Sequence, residues 1–183
     1  MKKIINKLAV MAFFMMPIFI QAQSPLDKVA EKYNGKQGFN VVNISKDMLQ
    51  VIFSVAEEKD TATQAFKRAV SHMNGMKVID CNCDLVKPAQ CLAFYNEASA
   101  LFPPAIYKEL ITGNDGFEFI RFLTKKDSKG QITELIMLEQ GAKEIVAFSI
   151  TGIIDLATVS KIAKSMNIKG MDTLDNYKDK SKK

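Results

Sequence analysis

Residues 117–139 read Phe117-Glu118-Phe119-Ile120-Arg121-Phe122-Leu123-Thr124-Lys125-Lys126-Asp127-Ser128-Lys129-Gly130-Gln131-Ile132-Thr133-Glu134-Leu135-Ile136-Met137-Leu138-Glu139. Two apolar runs flank Asp127-Ser128-Lys129-Gly130, a cluster of turn-forming residues. A connection that short forces the two strands to run antiparallel. Phe117, Phe119 and Leu123 alternate with Ile120 and Phe122, and Ile132, Ile136 and Leu138 alternate with Leu135 and Met137. Both faces of this hairpin are therefore apolar. One face can receive helices; the other needs further helices or a partner, because a large bare apolar face is a binding surface.

Working outward, residues 107–112 and 144–151 read as one more strand on each side. They join the hairpin through Gly113-Asn114-Asp115-Gly116 and Gln140-Gly141-Ala142. The result is a four-strand antiparallel meander. The part before it is mostly helical. Ser24 and Pro25 open a first helix as N-cap and first-turn proline, with Leu26, Val29, Ala30 and Tyr33 as its apolar stripe and Gly35 as its stop. Residues 38–44 form a short strand, and Ser45 caps a second helix that turns Met48, Leu49, Ile52 and Phe53 inward. A third helix uses Ala65, Phe66, Ala69 and Val70 and runs to about Asn74; Asn74-Gly75 is a turn, and residues 76–80 are a second short strand. Pro88 begins a fourth helix carrying Leu92, Tyr95 and Ala98, which stops at Phe102-Pro103-Pro104. After the meander, Asp155 caps a last helix over 155–166, with Leu156, Val159, Ile162 and Ala163 on one face. The expected fold class is α+β: a four-strand antiparallel meander with additional short strands, and helices packed on the sheet.

The first residues carry a different signal. Lys2, Lys3 and Lys7 precede an apolar run over 8–20, and the small residue Ala22 follows. That order marks a secretory signal peptide over 1–22, leaving Gln23 as the new N-terminus. The run is about 13 residues, short of the roughly 20 that a spanning helix needs, and no later run is longer. No cysteine follows it to accept a lipid anchor. Residues 23–177 are expected to form a single α+β domain, and 178–183 a basic disordered tail around Lys178, Lys180, Lys182 and Lys183. The expected location is extracytoplasmic, periplasmic or secreted.

Export changes the charge argument. The whole chain has 25 basic and 20 acidic residues, and the signal holds three lysines and no acid, so 22 basic residues remain against 20 acidic. A folded body so near neutrality has no broad phosphate-binding surface, and nucleic acid is not an expected partner.

The chemical inventory is thin. The single histidine, His72, lies on the last turn of the third helix, where it suits the carbonyl end of the helix dipole better than a catalytic triad. The nine glycines sit at scattered turns, without a phosphate loop. Acidic residues are many, but nothing singles out a pair. The three cysteines are Cys81, Cys83 and Cys91. A bridge from Cys81 or Cys83 to Cys91 suits a strand end beside a helix start, with Cys83–Cys91 a candidate pairing and one thiol left buried or free to react; buried free thiols throughout are the alternative. Zinc or copper on Cys81-Asn82-Cys83 lacks the usual four ligands. No catalytic, cofactor-binding or metal-binding residue is expected, and no cofactor.

Ile44-Ser45-Lys46-Asp47-Met48-Leu49 follows the first strand. Ile150-Thr151-Gly152-Ile153-Ile154-Asp155-Leu156 leads into Val159-Ser160-Lys161 and Met166-Asn167-Ile168. In these motifs, and in its order of helices, meander and last helix, the chain resembles the exported proteins of Bacteroidetes-type bacteria grouped as domain of unknown function 4252. The resemblance implies export and fold, and no activity. The motifs are structural in kind: Ser45 and Asp155 stand where helix caps are needed, and Gly152 at the strand-to-helix turn. Members often carry a lipoprotein cysteine, which this sequence lacks.

The function expected is therefore a non-enzymatic protein-binding or envelope-associated module, with a protein partner or a second copy held by an apolar sheet face. A carrier of a small apolar ligand, and a hydrolase with a carboxylate site that sequence cannot locate, are the alternatives.

Overall fold

A computed structural model describes residues 24–54, 67, 70–114, 116 and 118–156. The signal segment, most of the third helix, the helix expected after Asp155 and the basic tail lie outside the described residues. The elements are α1 (Leu26–Tyr33), β1 (Phe39–Ser45), α2 (Lys46–Ser54), β2 (Met73–Asn82), α3 (Pro88–Ala100), β3 (Lys108–Asn114), β4 (Phe119–Lys126), β5 (Ile132–Gln140) and β6 (Glu144–Gly152).

The class is α+β, built on one six-stranded sheet of order β1-β2-β6-β5-β4-β3 with every neighbouring pair antiparallel. The expected four-strand meander is thus only part of the sheet. β1 and β2 are not accessory short strands: β2, with ten residues, is the longest of all, and it pairs with β6 along its whole length. The expectation failed at Asn74-Gly75, which read as a turn. Instead Met73 already pairs with Gly152, and the irregularity at Asn74 is absorbed as a register shift inside the strand. The third helix correspondingly stops earlier, with Ser71 helical and His72 in a turn.

The turns follow their side chains. Asp127 Oδ1 accepts from the backbone N–H of Lys129 and of Gln131, both at 2.9 Å, and Gly130 takes the positive φ of 80° that the β4–β5 connection needs. Asn114 Oδ1 likewise accepts from Gly116 N at 2.8 Å.

The two sheet faces carry two separate cores. On one, α1 and α3 bury Leu26, Val29, Tyr33, Cys91, Phe94 and Ala98 against Ile79, Cys81, Leu123, Ile136, Leu138, Ile145 and Ala147. Tyr33, Phe39 and Phe94 stack where α1, β1 and α3 meet, with ring centroids 4.3 to 5.4 Å apart. On the other face Leu49, Val70, Met73 and Ile154 lie against Phe122, Leu135, Met137, Phe148 and Ile150. Of the apolar residues that suggested a bare sheet face, Phe122, Leu123, Leu135, Ile136, Met137 and Leu138 are buried, Phe119, Ile120 and Ile132 are half-buried, and Phe117 lies outside the described residues. The large exposed apolar side chains among the described residues are Val42, Met48, Val51, Leu85, Leu92, Ile106 and Ile153.

One helix presents a face turned from the one expected. α3 buries Cys91, Phe94 and Ala98 and leaves Leu92 half exposed, because Cys91 is tied to the strand end and brings Phe94 under the helix with it. In α2, Leu49 is buried as expected and Met48 is exposed, while the side chains of Ile52 and Phe53 lie outside the described residues. At α1, Ser24 gives no side-chain cap; Pro25 occupies the cap position, and the serine hydroxyl is engaged elsewhere.

Candidate functional site

Strand register explains where the molecule opens. On the face that carries α1 and α3, side chains align across the sheet in rows. Val41, Ile79, Ala147 and Leu138 form one row, and it lies under the helices. The next row begins Asn43, Lys77, Ser149, and the one after it Ser45, Gly75, Thr151, Glu134. Within β1, β2 and β6 the period-two pattern thus turns from apolar to polar toward one end. Helices cannot pack on that polar corner without stranding its donors and acceptors. It is left as a groove of about 550 Å³, walled by Asp27, Ala30, Glu31 and Asn34 of the α1 segment and floored by the two polar rows. Edge strand β1 is its outer rim.

Lys77 is the cation of the groove. It donates to the Asp27 carboxylate, and only about a tenth of its side chain is exposed. At the inner end, Glu134 is almost fully buried. Ser24 Oγ donates to its Oε1 at 2.9 Å and Tyr107 OH to its Oε2 at 2.7 Å. Burial first, and then the hydrogen bond to Glu134, raise the Tyr107 hydroxyl far above the ordinary tyrosine value.

A second cluster lies at the opposite end of the same strands. Cys81 in β2 and Cys83 just beyond it share a face, and the first turn of α3 sets Cys91 over them. Cys83 and Cys91 are joined, with Cα atoms 5.7 Å apart. Cys81 is a buried free thiol, its sulfur 3.3 Å from that of Cys91. All three sulfurs lie within 4.8 Å of one another. Burial, with a smaller contribution from Asp80, pushes the Cys81 thiol up to about 11. Among the described residues no fourth sulfur, imidazole or carboxylate joins this group.

The other residues singled out from sequence stand apart from both clusters or at their margin. Ser45 lines the groove, and its hydroxyl accepts from Met48 N at 3.2 Å, at the start of α2. Asp155 is exposed beside Leu156, and the helix it would cap lies outside the described residues. His72 is exposed in its turn, touches neither cluster, and gives its carbonyl to Ile153 N. Lys77, Asn43, Glu134 and Tyr107 carried no sequence motif, and Thr151 stood in the family motif with no site role assigned to it. Their signal was the polar end of the alternation Val41-x-Asn43-x-Ser45 and Ala147-x-Ser149-x-Thr151, which becomes informative only once register aligns the strands.

No curated protein and no solved structure matches the chain. Residues 33–162 match the sequence model described as "Domain of unknown function (DUF4252)". That span takes in all six strands, the cysteine cluster and the strand residues that floor the groove. It begins at the last turn of α1, so Ser24, Asp27, Ala30 and Glu31 of the groove lie before it. Matching 130 of its 183 residues, the chain belongs to this family of unknown function.

Proposed function

We propose that the chain is an exported, non-enzymatic binding module of a Bacteroidetes-type bacterium, acting in the periplasm or outside the cell, and that its groove takes an extended segment of a partner protein. The observation that carries the reading is the polar corner of the sheet, opened where the rows Asn43-Lys77-Ser149 and Ser45-Gly75-Thr151 leave the cover of the helices. Among the described residues, edge strand β1 pairs only with β2. Its outer backbone groups are a template on which an extended peptide can add as a further strand. Asn43, Ser45 and Thr151 supply neutral hydrogen-bonding groups beside that rim, Glu31 supplies an acid, and Lys77 is held by Asp27. This suits a polar peptide better than an apolar ligand, which needs an enclosed apolar cavity. The buried carboxylate Glu134 is already satisfied by two hydroxyls, an arrangement that suits support of the fold better than acid–base turnover.

The test places a photo-crosslinking residue at Asn43 in the full chain, expressed in its own host, with Lys129 as a control on the distant β4–β5 turn. A covalent adduct to one defined peptide from Asn43, absent from Lys129, is the expected result; a peptide of the same chain would identify a homo-oligomer. Equal labelling from both positions, or none from Asn43 while the protein runs as a bare monomer in native mass spectrometry, would overturn the reading.

A further inference from the structure

The cysteine cluster holds one more sulfur than its bond uses, and the third sulfur touches the bond. Cys81 and Cys83 are two residues apart on one strand face, and Cys91 sits over both on α3. The backbone therefore places two candidate partners under the same helical cysteine. Cys83–Cys91 is formed, yet Cys81 Sγ lies 3.3 Å from Cys91 Sγ, in contact with the sulfur it would attack, and a turn of the side chains must bring it into line with the Cys83–Cys91 bond. The two strand cysteines differ in access: Cys81 is fully buried, whereas Cys83 is half-buried.

We propose that the three cysteines form a thiol-exchange site in which Cys81 displaces Cys83 from Cys91, so that the protein interconverts two disulfides and presents Cys83 as its reactive thiol. The exchange is redox-neutral. The Cys81 thiol gives up its proton, its thiolate attacks Cys91 Sγ, the Cys83–Cys91 bond breaks, the Cys81–Cys91 bond forms, and the departing Cys83 thiolate takes up a proton. No outside oxidant or reductant enters. The burial that raises the Cys81 thiol makes this attack slow, since roughly one molecule in ten thousand holds the thiolate at pH 7. The product differs in access: its free thiol, Cys83, is the half-buried one, open to a reagent that cannot reach Cys81. Small thiols and disulfide-bearing proteins are the class of partner that a released Cys83 would meet.

The test is differential alkylation of the native full chain. N-ethylmaleimide is added at pH 8.5, excess reagent is removed, and the protein is unfolded in acid, reduced and treated with iodoacetamide. Fragmentation of the peptide that spans Cys81 to Cys91 then reports which sulfur carries maleimide. The expected result is maleimide on Cys83, with Cys81 and Cys91 both carrying the second reagent. Cys81→Ser should lose this labelling altogether, and Cys83→Ser, oxidised with glutathione disulfide, should form Cys81–Cys91. Maleimide confined to Cys81, or native protein that takes up none over a day, would overturn the proposal, as would labelling of Cys83 that persists in Cys81→Ser. Because the unmodified chain alone gives a decisive reading, a variant that fails to fold does not rescue the idea.

Discussion

Tyr107 donates its hydroxyl hydrogen to Oε2 of Glu134 across 2.7 Å, inside the core and 27 residues apart in the chain. Ser24 binds the other carboxylate oxygen, so one buried acid ties the segment before α1 and the residue before β3 to the middle of the sheet. A buried carboxylate is tolerated only while such donors are present. Tyr107→Phe should therefore cost about 1–3 kcal/mol, the usual penalty for a buried acceptor left unpaired. Urea denaturation measures it. A loss no larger than that of the double variant Tyr107→Phe, Glu134→Leu relative to Glu134→Leu alone would show that the bond contributes nothing of its own.

The same tyrosine gives the molecule an alkaline limit. Its folded value lies above the ordinary 10, so the unfolded chain ionises first. Its contribution is complete below pH 10 and is lost as pH rises from there toward the folded value. Thermal melts of the parent should fall more steeply between pH 10 and 11.5 than those of Tyr107→Phe. Parallel curves would contradict this assignment.

Asp80 works against the fold at neutral pH. It stands on β2 between Asn40 and Val146, and its Oδ1 is buried with no hydrogen-bond donor among the described residues. Burial, and then the charge of Glu144, raise its carboxyl above 3.8. The cost is absent while the acid is protonated in both states and grows as pH rises through the folded value. Asp80→Asn removes the buried charge and should stabilise the protein at pH 7 by on the order of 1 kcal/mol, the scale of a modest electrostatic burial cost. The gain should vanish near pH 3, and a constant gain at both pH values would refute the electrostatic explanation.

Gly152 ends β6 at φ 125°, and a Cβ there would stand 2.4 Å from the carbonyl oxygen of His72 and 2.6 Å from Cα of Met73. Those are backbone atoms, which cannot swing aside. Gly152→Ala should lose more than about 2 kcal/mol through backbone strain and overlap. A melting temperature within about 2 °C of the parent, where a 1 kcal/mol loss already shifts a domain of this size by 2–4 °C or more, would show that the β2–β6 junction is looser than it looks.

Export makes a prediction at the other end of the chain. The protein recovered from the periplasmic or secreted fraction of its host should begin at Gln23. N-terminal sequencing or intact mass decides it, and a retained Met1 in a membrane fraction would replace the signal peptide with an anchor.

Much of the architecture was legible because its determinants are local. Asp127 through Gly130 and Asn114 through Gly116 specify their turns with their own side chains, and the four later strands follow from those turns. What was not legible depends on distant residues. Asn74-Gly75 has turn chemistry, yet β6 captures it as strand, and nothing near Asn74 announces β6. The inward face of α3 was misjudged because Leu92 and Phe94 look equally apolar; it is Cys91 that rotates the helix. The groove was invisible for a related reason. Asn43, Lys77 and Thr151 are ordinary polar residues until register sets them side by side. The cysteines were the intermediate case, since spacing allowed either strand cysteine to reach Cys91 and the folded cluster keeps both in range.

The sheet order has a temporal meaning. β2 finds its second neighbour only in β6, at sequence separations of 62 to 79, and β1 hangs on β2. During synthesis the first two strands must therefore wait, paired only with each other, until almost the entire meander has been made. A two-stranded ribbon of this kind is marginal in water, and contacts of such long sequence separation form late. A chain fed strand by strand through a narrow pore would pass in an extended state and close its sheet on the far side, when β6 slides in between β2 and β5.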